Sequence, residues 1–288
     1  MLPIYHDLKI LRRFPWMWAL LTPLTATGAP HSPFKVVLDP GHGGGDHGAI
    51  AEDGSTRLAE KDLTLAIALE AQKHLKLKGI QVHLTRTADQ DVPLSERTAL
   101  ANRLKADVFI SIHMNSAAGA PGSALVGAEG IETYILNNTT NETSKRLAYL
   151  ENTPNRPNLP QVEAGKEGEG GDVALILKDL TLDANLSESK RLACGLQSHL
   201  LGASAAIRAG GSKNRGVKQA LFHVLLGADM PSALVEAGFM SSRRDRHQVL
   251  DRVGRMKLGI AIARAVDQYR RERGTPKAQA VLASCKVH

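Results

Sequence analysis

"KVVLDPGHGGGDHGA", Lys35 to Ala49, decides how the rest of the chain is read. An apolar run, Val36 to Leu38, stops at Asp39 and Pro40. Glycines then surround two imidazoles, His42 and His47. A buried strand that runs straight into flexible backbone is a strand-end loop. In α/β sheets such loops lie beyond the carboxyl ends of the strands, where sites form.

Working outward, strand and helix patterns alternate. Leu63, Ala66, Ile67, Ala71 and Leu75 recur at helical spacing from Lys61 to Lys78, and Gly79 ends that helix. "IQVHLT", Ile80 to Thr85, alternates like a strand, and Leu94 to Ala106 is helical. "DVFISIH", Asp107 to His113, is a strand whose end delivers His113, and "IETYIL", Ile131 to Leu136, is another. Helical spacing returns through Leu175, Leu180, Leu186, Leu192 and Leu196. "SALVEAGFM", Ser232 to Met240, reads as a late strand ending at Glu236 or Gly238, and Met256 to Arg273 as a last helix. The pattern predicts an α/β fold. A single domain holds a central, mostly parallel or mixed twisted sheet with helices on both faces.

Composition narrows the class. The 288 residues are 43% hydrophobic, enough for a full core and against disorder. Aromatic residues are only 4%, which disfavours a stacking platform for single-stranded nucleic acid. The formal charge of +7 suits nucleic acid, a membrane surface or an anionic polymer such as a cell wall, without choosing among them. Near the start, Lys9, Arg12 and Arg13 precede "FPWMWALLTPLTATGA". That apolar stretch is too short for a membrane span and is broken by Pro15 and Pro23. Residues 1–29 therefore read as a secretory signal cleaved near Gly28 or Ala29. The expectation is a periplasmic protein, or one secreted to the cell envelope, with no stable membrane insertion and no nucleic-acid partner. Cys194 and Cys285 read as two separate, idle thiols, although export would permit a disulfide.

His42 and His113 both occupy strand ends, and Glu60 opens the helix after the glycine loop. Two histidines and a carboxylate with an open fourth position are the ligand types of a catalytic zinc. Their separations in sequence are long and irregular, so a structural role for each remains open at this point.

"VVLDPGHGGGDHGA", "EKDL" at Glu60, "LTRTAD" at Leu84, "SIHMN" at Ser111 and "LVEAGFMS" at Leu234 occur in this order. Together they resemble the zinc-dependent N-acetylmuramoyl-L-alanine amidases that separate bacterial daughter cells. The resemblance runs from about Phe34 to Arg273 and makes residues 34–273 the catalytic domain. It implies that His42, Glu60 and His113 bind zinc and that Glu236 is the catalytic carboxylate. The implied reaction cleaves the amide between N-acetylmuramic acid and L-alanine of peptidoglycan. Without the resemblance, Glu236 could be a buried strand residue paired with Arg or Lys. The chain departs from the family at His47, where Pro is usual, and at Ser242, where Asn is frequent. His47 is read as an inert exposed side chain. Arg86, Arg97 and Asp107 are read as scaffold ion pairs.

Between the fourth strand and the next helix, residues 143–180 form an insertion rich in Pro, Gly, Asn and Glu. In the cell-separation members this region carries a helix that blocks the zinc cleft until a protein activator opens it. Glu151 is the candidate carboxylate for closing the zinc position, with Glu163, Glu167 and Glu169 as rivals. Residues 274–288 read as a disordered tail. Two other readings stand beside the amidase: a zinc peptidase or carboxypeptidase acting on the stem peptide, and a non-catalytic cell-wall-binding protein.

Overall fold

The computed structural model describes residues 33–116, 127–153, 179–207, 209–276 and 285–288. The expected signal at residues 1–29 lies outside them, as do Glu163, Glu167 and Glu169. Among the described residues the strands are β1 (Lys35–Pro40), β2 (Ile50–Asp53), β3 (Thr56–Ala59), β4 (Gln81–Leu84), β5 (Val108–Asn115), β6 (Ile131–Leu136), β7 (Asn214–Ala220) and β8 (Ser232–Phe239). Among the same residues the helices are α1 (Glu60–Lys76), α2 (Leu94–Leu104), α3 (Glu142–Asn152), α4 (Asp179–Ile207), α5 (Arg243–Leu250) and α6 (Arg252–Glu272).

Six strands form one sheet in the order β4-β1-β5-β8-β6-β7, and β2 and β3 form a separate hairpin. β6 runs antiparallel to β8, and the other neighbours in the large sheet are parallel. This is the mixed, mostly parallel sheet that the pattern predicts. Alternation along the strands separates two cores. Val36, Leu38, Val108, Ile110, Ala233 and Val235 join Ile67, Leu75, Leu196 and Ile262 from α1, α4 and α6 on one face. Val37, Phe109, Tyr134 and Leu234 join Ala101 of α2, Leu147 of α3 and Phe222 on the other. His113 and Glu236 alternate with members of the first core and so belong to the second face.

α1 has acidic residues Glu60 and Asp62 in its first turn and Lys73 and Lys76 in its last, which suits the helix dipole. Its first residue, Glu60, is turned to the site instead of capping the helix. Ser242 caps the start of α5, its hydroxyl accepting from Asp245 N at 3.2 Å. Ser and Asn are both among the preferred residues at that position.

Three readings of the sequence are corrected. Cys194 and Cys285 are not idle thiols but a disulfide. That bond fastens the chain end to α4, and His288 N donates to Val217 O at 2.9 Å. Residues 285–288, read as part of a disordered tail, thus lie along the outer edge of β7. Arg86 makes no ion pair among the described residues. It is fully buried and donates to the carbonyl oxygens of Pro40, Gly41, Ala88 and Lys61. A guanidinium has five donors in a fixed fork, and here the loop backbone uses them. Arg97 does pair with Asp39, at 2.8 Å, and Arg273 with Asp107, at 3.2 Å.

Among the described residues, no helix is long and apolar enough to cross a membrane.

Candidate metal centre

The glycine loop is built to receive two side chains. His42 itself sits at φ 62°, a left-handed conformation that non-glycine residues seldom adopt outside functional positions. Arg97 holds it there by donating to the carbonyls of Pro40 and His42 at 2.9 and 3.0 Å. A Cβ on Gly41 would lie 2.4 Å from the His113 ring, so only glycine lets that imidazole rest on the loop. A Cβ on Gly48 would lie 2.6 Å from Glu60 Oε2 and from the His42 ring. Glycine is required at both places because metal-type side chains occupy the space.

Four donor atoms converge. Glu60 Oε1 lies 3.0 Å from His42 Nε2 and 3.1 Å from His113 Nδ1. Glu151 Oε2 lies 3.1 Å from His42 Nε2 and 2.9 Å from His113 Nδ1. All four residues offer atoms within 4.8 Å of one another. A tetrahedral zinc with bonds of about 2.0–2.1 Å sets its ligands about 3.3 Å apart, close to these separations. His42 Nε2 and Glu151 Oε2 are buried and without a hydrogen bond, as expected for donors aimed at a cation. The residues fit a metal ion.

Glu60, His42 and Glu151 are each held from behind. Glu60 starts α1 and accepts from Ala49 N at 2.8 Å and Met114 N at 2.9 Å. Asp46 Oδ2 lies 2.9 Å from His42 Nδ1, which leaves Nε2 free to bind. Glu151 comes from α3. Ser144, Leu147 and Ala148 form that helix's buried face, and Glu151, seven residues after Ser144, continues it. Asn141 caps the helix start, and Asn152 holds its end by donating to Leu221 O at 2.8 Å and accepting from His223 N at 2.7 Å.

The electrostatics follow from packing. Burial pulls the His113 imidazole down, but the Glu151 and Glu60 carboxylates more than offset this and lift it to about 10. His42 is likewise held well above its ordinary value by Glu60 and Glu151 against burial. Protons compete with a metal for these nitrogens, so metal affinity falls as pH is lowered.

Glu236 lies beside the cluster. It sits inside β8, not at its end, in register with His113 of β5 and Glu132 of β6. Its carboxylate is fully buried, and neither oxygen has a hydrogen bond. Among the described residues, no Arg or Lys pairs with it. Burial, and then the Glu151 carboxylate, push its pKa well above the ordinary range. A carboxylate with raised proton affinity beside a metal cluster is suited to accept a proton.

His47 is half-buried and contributes no donor to the cluster. Asp46 was missed from the sequence, although its spacing of four residues from His42 is a signal within reach. Glu132 was missed too. It is 1% exposed and accepts from Tyr134 Oη at 2.5 Å, Lys218 Nζ at 3.0 Å and Arg215 Nε. Replacing Asp46 with Ala is expected to weaken metal affinity about 10–100-fold, the usual cost of losing a ligand's orienting partner. Competition with a fluorescent zinc chelator measures it.

The family model described as N-acetylmuramoyl-L-alanine amidase, Amidase_3, matches residues 36–268. N-acetylmuramoyl-L-alanine amidase AmiC of Neisseria meningitidis is 35% identical over 240 residues, covering 81% of this chain and 52% of that protein. N-acetylmuramoyl-L-alanine amidase AmiA of Escherichia coli is 34% identical over 236 residues, covering 81% of this chain and 75% of its own length. Thus the chain spans about half of the first relative and three-quarters of the second. The crystal structure of the amidase from Clostridium difficile 630 superposes with a TM-score of 0.59 at 28% identity, covering 84% of this chain and 99% of that one. AmiC2 of Nostoc punctiforme gives 0.56 at 29% identity, covering 83% and 97%. With a match over nearly the whole described domain and the same fold, this chain belongs to the N-acetylmuramoyl-L-alanine amidase family.

Proposed function

We propose that this protein is an exported zinc amidase that cleaves the bond between N-acetylmuramic acid and L-alanine in peptidoglycan, and that α3 holds it closed. The observation that carries this reading is the bare, buried Glu236 in register with a histidine of a four-donor cluster. His42, Glu60 and His113 would hold the ion. Bound zinc would polarise the amide carbonyl and acidify a water molecule. Glu236 would accept the water proton and pass it to the leaving amine. The buried walls around Glu236 keep its proton affinity high enough for that task. Such chemistry in a protein with a signal-like N-terminus fits remodelling of the cell wall and separation of daughter cells. Mass spectrometry of digested peptidoglycan tests the reaction. New amino-terminal alanines on intact stem peptides are expected, and cuts inside the stem peptide would replace this reading with a peptidase.

Glu151 supports the closed state. A catalytic zinc site keeps one position open, and a fourth protein ligand fills it. If opening costs about 2.8 kcal/mol, roughly 1% of molecules are competent, and a protein activator would act by binding the open form better. Glu151→Ala is expected to keep its zinc and raise basal cleavage, up to about 100-fold on that arithmetic. Steady-state release of stem peptides measures it. Loss of zinc or unchanged turnover would make Glu151 an ordinary ligand or a bystander.

A further inference from the structure

One row of charge crosses the sheet beside the metal centre. His113 of β5, Glu236 of β8 and Glu132 of β6 are register neighbours, and Arg215 and Lys218 of β7 complete the row. A register shift between Ile131 and Thr133 lets Arg215 and Lys218 both reach Glu132 Oε1. Shifts of this kind re-aim a side chain at a sheet edge. Glu132 also accepts from Tyr134 Oη and from Asn115 Nδ2, at 2.5 and 3.3 Å. It is therefore saturated, while two cations share its one charge.

The surplus is concentrated on Arg215. Its Nε donates to Glu132, and its guanidinium carbon lies 5.1 Å from the centre of the Phe239 ring. Backed by a carboxylate and an aromatic face, the group has little freedom left to lose. Among the described residues, neither terminal nitrogen has a hydrogen bond, and the side chain is 26% exposed. Lys218 is more enclosed, at 12%, and its ammonium lies over the Tyr134 ring. A guanidinium anchored through Nε presents two parallel N–H donors, the geometry that matches a carboxylate. A cation needed only to neutralise Glu132 would not require a second one.

The geometry points to Arg215, supported by Lys218, as the receptor for a carboxylate on the peptide side of the substrate, one strand beyond Glu132 from the reacting centre. This inference rests on the amidase reading and adds the substrate feature that sets specificity. A stem peptide whose carboxylate is free would bind in register with the metal cluster. One whose carboxylate is a carboxamide would lose the charge-assisted fork.

The test uses the full chain, zinc-loaded and carrying Glu151→Ala to expose the site. Two muramoyl dipeptides serve as substrates, identical except that the second residue bears a free carboxylate or a carboxamide. The parent is expected to favour the carboxylate about 10–100-fold in kcat/KM, carried by KM. Arg215→Ala should abolish the preference, and Arg215→Lys should retain part of it, because charge remains without the fork. A merely structural role would lower both substrates alike. No preference in the parent, or the same preference in Arg215→Ala, overturns the inference. If neither substrate is cleaved, the amidase reading has failed separately, and calorimetric binding of the same two dipeptides decides. Binding that depends on both the carboxylate and Arg215 supports the receptor, and equal binding rejects it.

Discussion

Glu236→Gln is expected to keep its metal and its fold while turnover falls about 10²–10⁴-fold, the range usual for loss of a general acid–base group. The substitution conserves shape in a fully buried position. It removes no hydrogen bond, because neither carboxylate oxygen has one. Burying a carboxylate without partners costs free energy, so the amide should leave thermal stability unchanged or raised. The variant thus separates chemistry from folding. Single-turnover cleavage of a muramoyl peptide, beside a thermal melt and a metal assay, measures all three. Near-parental turnover would move the base elsewhere and leave Glu236 as a strand residue.

His113→Ala is expected to lose zinc to substoichiometric levels, with affinity falling by more than the roughly 10–100-fold typical of an orienting partner. His113 supplies one donor, and its Nδ1 lies 3.1 Å from Glu60 and 2.9 Å from Glu151. Without it two carboxylates face each other across one imidazole, a poor soft-donor set for zinc. The loop should still close, because Arg86 and Arg97 hold its carbonyls independently of the histidine. Circular dichroism checks the fold, and elemental analysis of the purified variant checks the metal. Full occupancy would exclude His113 as a ligand.

The parallel core of the sheet was legible because it is buried on both faces. β1, β5 and β8 read as apolar runs, and each brings a polar residue of the site at a fixed place: His42 just after β1, His113 within β5, Glu236 within β8. The hairpin of β2 and β3 was not legible, since none of its residues is buried and they carry no sustained apolar alternation. β7 escaped for a related reason. "NRGVKQA" is an edge strand with one face turned to charge. What the residues do as a set depends on register, which short motifs do not carry. Glu132 faces Glu236 only because β6 runs antiparallel to β8. Glu151 reaches the histidines only because α3 is fastened at both ends. The disulfide joins residues 91 apart, a pairing no local spacing announces.

Metal dependence tests the central claim most directly. The full chain, stripped with a chelator and dialysed, should release no stem peptides from peptidoglycan. Adding zinc should restore release with a break at one equivalent per chain, and the His113→Ala chain should show no such break. Undiminished release from chain containing less than about a tenth of an equivalent of metal would contradict the account, since by the linkage of bound ligand to activity it should then fall in proportion.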